Sequence, residues 1–216
     1  MDTKSNVKRT ETYIRQIFRQ EGSGHDWFHV DRVRKLAISL GAKEGADLYI
    51  TEMAALLHDL DDWKLNGSDH EVPEKTIQWL HQLKLPEVII HQIVTIVSEV
   101  SFKGAGVTTP ATSIESKVVQ DADRLDAIGA IGIARTFAYG GNRNRLIYDP
   151  SVKPNVHETF QSYKNSQAPT INHFYEKLLL LKDRMHTHSA RNLAEKRHAF
   201  MVQFLNQFYA EWELKY

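Results

Sequence analysis

Three separated fragments of this chain carry side chains able to share one cation. They are His29 in GHDWFHVDRV, the adjacent His58 and Asp59 in AALLHDLDDWK, and the carboxylates Asp121 and Asp123 in VVQDADRLDAIGA. All lie on or beside apolar helical stretches, where an ionised carboxylate without a partner costs on the order of several kcal/mol. A divalent cation between them removes that cost. Held by mixed nitrogen and oxygen donors with positions left open, such a cation activates water and polarises phosphoryl oxygens.

The elements that must position these groups read as helices nearly throughout. Val7, Ile14, Ile17 and Phe18 set a helical period over about residues 5–21, ended by the Gly22–Ser23–Gly24 break. A second helix is expected from about Trp27 to Leu40, stopped by Gly41. It places His29 four residues before Val33, on the inward face. A third, about Asp47 to Leu60, puts His58 four residues after Ala54, also inward. Adjacent helical side chains diverge by about 100°, so His58 and Asp59 can address one point only if the helix frays there. Further helices are expected after Pro73, from Pro86 to about Val100, over about 113–139, and over about 170–186 and 189–214. Loops are expected at 101–110 and 140–154, where Gly and Pro gather. No stretch alternates like a strand, and the predicted fold is all-α.

The bulk composition excludes several classes. Lys and Arg total 27, as do Asp and Glu, so net charge is zero and a general nucleic-acid or membrane-surface binder is disfavoured. Cysteine is absent, which removes disulfides, thiolate zinc sites and a cysteine nucleophile. No run approaches the roughly 18 apolar residues of a membrane span, and the N-terminal segment has no signal-like apolar region. A cytoplasmic protein is expected.

His29 followed by Arg32–Val33, an apolar helix ending in His58–Asp59, and a distant aspartate in the frame Ala122–Asp123–Arg124–Leu125 resemble the HD-domain metal-dependent phosphohydrolase superfamily. The longer strings GHDWFHVDRV, SFKGAG and QDADRLDAIGAIGIARTFAYGG resemble a bacterial subgroup of small HD proteins, some of which are nucleoside triphosphate pyrophosphohydrolases. The resemblance implies a single HD domain over 1–216, a helical bundle with its motif-bearing core at about 20–135 and C-terminal helices, about 155–216, packed on it.

Carried over by position, the resemblance puts the metal ligands at His29, His58, Asp59 and one aspartate of the last motif. The Ala-Asp-Arg-Leu frame selects Asp123, while Asp121 lies about 200° round the helix and remains the alternative. Asp121, Asp126 and Asp26 are expected to support the ligands from outside, or, for Asp26, to cap a helix. Solvation, or pairing of Asp121 and Asp126 with Arg124 and Arg135, is the plainer reading. Asp62, three residues past Asp59, stands where related enzymes hold an acid that orients or deprotonates the attacking water. Binuclear relatives place additional histidines where this chain has Ser98–Glu99, so one metal is expected. With two imidazoles and two carboxylates, Mn²⁺, Mg²⁺, Fe²⁺ or Co²⁺ suits the set. Lys103, Lys64, Arg135 and His25 are candidates for the phosphates of a small-molecule nucleotide. The implied reaction takes a (deoxy)nucleoside triphosphate to monophosphate and pyrophosphate. A nucleotide phosphomonoesterase or phosphodiesterase, and a metal-containing ligand-sensing module without turnover, are the rivals.

Overall fold

The structure is a computed structural model that describes residues 2–19, 26–61, 72–100, 109–155 and 166–215. All regular structure among them is helical. No helix there is long and apolar enough to cross a membrane. The backbone forms two compact units: Met1–Phe102 with Thr108–Asp123, and Lys103–Val107 with Arg124–Tyr216.

The first unit holds α1 (Thr3–Ile17), α2 (Trp27–Glu44), α3 (Leu48–Leu57), α4 (Glu74–Gln82), α5 (Glu87–Val100) and α6 (Ile114–Asp126) up to Asp123. Its centre is α3, which packs against α1, α2 and α5. The stretch Met53 to Leu57 is wholly shielded from solvent, as a helix wrapped on several sides requires. Val30, Val33, Ala37 and Leu40 of α2, Ile14 of α1 and Ile93 of α5 supply the opposing surface. Side-chain caps start four of its helices: Asp2 accepts from Ser5 N–H, Asp26 from His29 N–H, Asp47 from Tyr49 and Ile50 N–H, and Ser113 from Ser116 N–H.

The second unit holds α7 (Gly129–Asn142), α8 (Asn172–Glu176), a 3₁₀ helix (Leu178–Arg184) and α9 (His188–Trp212). The long α9 packs on α7 and on the 3₁₀ helix. The buried Phe174 meets the half-buried Phe137 and Phe204, with ring centroids about 6 Å apart. Arg124 donates to the Arg184 carbonyl at 2.6 Å, and Arg197 to the Leu125 carbonyl at 2.5 Å. These bonds hold Arg124 and Leu125 to the end of the 3₁₀ helix and to the middle of α9.

Several expected boundaries are corrected. The second helix does not stop at Gly41 but runs to Glu44. The left-handed cap falls on Gly45 (φ 75°), whose N–H returns to the Gly41 carbonyl, and Gly41 instead admits Leu48 closely. The single helix expected over 113–139 is two, broken between Asp126 and Gly129. Gly129 adopts φ 78° beneath the Arg197 side chain, a conformation that ends α-helical continuity. The loop expected from 140 begins only after Asn142. The helix expected over 170–186 is the short α8 followed by 3₁₀ structure, in which Leu178 and Leu181, three apart, are both buried. The loop at 101–110 lies outside the described residues apart from its last two positions.

Candidate metal centre

His29 sits in the first turn of α2, and its position is set by the chain just before it. Asp26 accepts the His29 backbone N–H at 2.9 Å, so the expected N-cap role of Asp26 is the one its carboxylate performs. Trp27 beside it is buried, with the Arg15 guanidinium 5.0 Å over its ring. The imidazole of His29 points inward and is fully shielded.

His58 and Asp59 follow the end of α3. The helix stops at Leu57, and the Leu60 N–H turns back to the Leu57 carbonyl at 3.0 Å. That tightened turn lets two neighbouring side chains face one point. His58 Nδ1 lies 2.8 Å from the Ala55 carbonyl oxygen. A carbonyl only accepts, so Nδ1 carries the proton and Nε2 is left with its lone pair. That lone pair faces His29 Nε2 at 3.3 Å.

Asp59 spans both rings: Oδ2 is 3.2 Å from His29 Nε2 and Oδ1 is 3.4 Å from His58 Nε2. The nitrogen and oxygen atoms of His29, His58 and Asp59 thus lie within 4.8 Å of one another, all buried. Asp123 reaches the same point from α6, its Oδ1 3.6 Å from His29 Nε2 and 3.9 Å from His58 Nε2. Its side chain keeps 27% of its exposure against 8% for Asp59, so solvent meets the cluster on the Asp123 side.

The facing imidazole nitrogens, 3.3 Å apart, are bracketed by two carboxylates, so a divalent cation between them would be met by donors from all four side chains. Cis donors about 2.1 Å from a divalent ion stand roughly 3 Å apart, close to the separations seen. The donor set therefore fits a hard or borderline divalent cation with oxygen-accessible positions remaining on the open side.

The other sequence candidates fall as follows. Asp121 is fully buried two residues before Asp123. In the second unit, Asp126 is buried and accepts from the Arg135 guanidinium at 3.1 Å. His25, Asp62, Lys64 and Lys103 lie outside the described residues. His81 and His91 are exposed on α4 and α5; His81 sits 3.6 Å from Glu87.

Two acids carry more structure than sequence reasoning gave them. Glu99, set aside as a non-ligand, is a buried carboxylate that accepts from Thr112 N–H (3.1 Å), Thr112 Oγ1 (2.9 Å) and Ser116 Oγ. It fastens the end of α5 to the start of α6, the helix that bears Asp123. Asp61, to which no role was assigned from sequence, accepts from Lys75 N–H, Thr76 N–H and Thr76 Oγ1. A visible signal existed for it: α4 begins after Pro73, which has no side chain able to cap a helix.

Comparison with known proteins accords with this geometry. The HD-domain family model matches residues 27–128. A Lactobacillus plantarum protein of known structure is 39% identical and superposes with TM-score 0.88, over 99% of this chain and all of that one. An HD-superfamily hydrolase from Bacillus thuringiensis is 45% identical, with TM-score 0.75 and 98% of each chain covered. YpgQ of Bacillus subtilis is 39% identical over 208 residues, 96% of this chain and 94% of its own. YpgQ has also been solved in complex with ADP, a structure that matches with TM-score 0.75 and 37% identity, over 95% of this chain and 97% of that one. A matched model spanning both histidines and Asp123, near-full-length relatives and a buried His-His-Asp cluster together make this chain a member of the HD-domain family, the metal-binding superfamily of hydrolases.

Proposed function

We propose that this protein hydrolyses a (deoxy)nucleoside triphosphate to the monophosphate and pyrophosphate, using His29, His58, Asp59 and Asp123 to hold one divalent cation. The observation that carries the reading is the convergence of these four side chains, with donor separations of 3.2–3.9 Å. The ADP complex of YpgQ supports a nucleotide as the ligand. The pyrophosphohydrolase assignment rests on the sequence resemblance.

A bound Mn²⁺, Mg²⁺, Fe²⁺ or Co²⁺ supplies electrophilic pull on a phosphoryl oxygen and acidifies water. The chain's own groups do the rest. His29 and His58 offer neutral Nε2 donors, and Ala55 keeps the His58 tautomer by accepting from Nδ1. Asp59, buried between the rings, holds its place through both oxygens. Asp123, on the solvent side, leaves room for substrate oxygens beside it. Asp62 accepts the proton of the attacking water as that water's oxygen bonds to the α-phosphorus and the link to the β-phosphate breaks. Pyrophosphate leaves. Lys103, Lys64, Arg135 and His25 are the groups the sequence offers for the polyphosphate's charge.

The test is incubation of the Mn²⁺-loaded protein with a panel of nucleoside mono-, di- and triphosphates, with products read by phosphorus NMR. Pyrophosphate and monophosphate from triphosphates are expected, with turnover lost and metal retained in Asp62→Ala. Orthophosphate from monophosphates without pyrophosphate from triphosphates would instead establish a phosphomonoesterase. No turnover of any nucleotide, with Asp62→Ala indistinguishable from wild type, would establish a sensing module.

A further inference from the structure

His58 and Asp59 share a focus at the end of α3, where His58 keeps helical dihedrals (φ −57°, ψ −33°) and the Leu60 N–H turns back to the Leu57 carbonyl at 3.0 Å. A tightened last turn of this kind is steadied where the residue after it is held by another element. That residue is Asp61. Its Oδ1 accepts from Lys75 N–H at 2.9 Å, and its Oδ2 from Thr76 N–H at 3.0 Å and Thr76 Oγ1 at 2.7 Å. Three donors, two of them orphan amides at the start of α4, thereby converge on one carboxylate. The helix has no side-chain cap of its own, because Pro73 occupies the N-cap position. Asp61 supplies that cap from 14 and 15 residues away, and the negative charge lies at the positive end of the helix.

The receiving end is rigid. Thr76 is fully buried. Trp79, one turn further along α4, stacks on Tyr13 with ring centroids 4.0 Å apart and donates to Thr10 of α1 at 2.9 Å. Asp61 thus anchors the turn bearing His58 and Asp59 to a helix that is itself locked to α1.

We propose that Asp61 is a positioning residue for the cation site. By capping α4 it fixes the turn after α3, and so holds the Asp59 carboxylate across both imidazoles. The inference rests on the reading of this cluster as a divalent-cation site. It adds a residue outside the donor set, and that residue acts through Asp59 and not by touching the ion.

The experiment is a calorimetric titration of the full-length protein with Mn²⁺, alongside urea unfolding of the metal-free forms. Wild type, Asp61→Ala, Asp61→Asn and Thr76→Val are compared. Gly132→Ala serves as a control destabilised elsewhere, since its Cβ would meet the Ala127 carbonyl oxygen at 2.2 Å. Asp61→Ala is expected to bind Mn²⁺ about 10-fold more weakly, in the range of outer-sphere substitutions. Asp61→Asn, which keeps an acceptor oxygen for the α4 amides, is expected to recover part of the loss. Thr76→Val, which removes a single donor and threatens folding least, is expected to weaken binding in the same direction by a smaller factor. Gly132→Ala is expected to bind as wild type does.

Wild-type affinity in both Asp61→Ala and Thr76→Val, or an equal loss in Gly132→Ala, would overturn the proposal and leave the cation site standing. If wild type itself takes up no Mn²⁺, the cation reading falls and this inference falls with it.

Discussion

His29 and His58 face each other Nε2 to Nε2 across 3.3 Å, their rings inclined at 71°. The His58 proton is committed to the Ala55 carbonyl on the far side of its ring, so the near side offers a lone pair. A divalent cation would be met here by that lone pair, by His29 Nε2 and by the Asp59 carboxylate, an arrangement that only the folded chain provides. Ligand binding to the folded state alone adds RT ln(1 + [L]/Kd), about 2.7 kcal/mol at 100 times Kd. Chelation should therefore lower the melting temperature, and Mn²⁺ should restore it in a concentration-dependent way. His58→Ala should abolish the Mn²⁺-dependent shift in differential scanning calorimetry. A shift that survives the substitution would place the cation elsewhere.

Glu99 gives a second expectation, about stability. Its carboxylate gathers Thr112 N–H, Thr112 Oγ1 and Ser116 Oγ, while Gln120 donates to the Glu99 carbonyl at 2.7 Å. Glu99→Ala strands three donors around a buried gap. Hydrogen bonds to charged groups contribute about 1.5–3 kcal/mol each, less the cost of burying the charge. A net loss of about 2–4 kcal/mol is expected by urea unfolding. Glu99→Gln, which keeps the volume and one acceptor, should lose less. Unchanged midpoints in both would mean that water serves these donors equally well.

How much of this could be read from the chain alone follows from how local each cause is. The apolar run to Leu57 and the acids after it announce a helix end, and α3 does end at Leu57, with His58 as its C-cap. Asp123 is marked by its Ala-Asp-Arg-Leu frame, and the structure brings its Oδ1 to both imidazoles. The break before Gly129 was hidden, because a glycine permits a left-handed backbone without announcing it, and Arg197, which packs where its side chain would lie, is far along the chain. Asp61 was half visible: Pro73 announces a helix start with no side-chain cap of its own, but the carboxylate that serves the two amides and the hydroxyl of α4 lies 14 and 15 residues away. Nothing in an aspartate beside other aspartates says which helix it caps. Gly41 and Gly45 illustrate the same limit: either could end α2, and packing of Leu48 against the first leaves the cap to the second.

Gly132 sets two effects of opposite sign against each other. Alanine is favoured over glycine inside a helix by about 1 kcal/mol. The added Cβ, however, would lie 2.2 Å from the Ala127 oxygen and 2.4 Å from its carbonyl carbon, both backbone atoms with little freedom to yield. Overpacking of this kind costs about 1–3 kcal/mol, and contact with rigid backbone falls at the upper end. The clash wins, and Gly132→Ala should destabilise by about 2 kcal/mol in urea unfolding. A stabilised variant would show that the Ala127–Ile128 connection can shift freely.

His198 of α9 gives the pH-dependent expectation. Burial holds its imidazole below the usual histidine range; repulsion from Lys182 adds to this, and Asp183 opposes it in part. Its Nδ1 is buried without a hydrogen-bond partner among the described residues. The folded state therefore binds a proton at this ring less readily than the unfolded chain does. Above the unfolded pKa, about 6.5, both states are neutral there and the ring contributes nothing to the pH dependence. As pH falls below that value the unfolded chain takes up the proton first, and stability declines toward the lower folded pKa. His198→Leu has no proton to bind and keeps an apolar group in the same shielded place. The urea midpoint of wild type should therefore fall further between about pH 7.5 and about pH 5.5 than that of the variant. Since every other titrating group is common to the two proteins, their contributions cancel in the comparison. Parallel curves would mean that the folded chain protonates His198 as easily as the unfolded one.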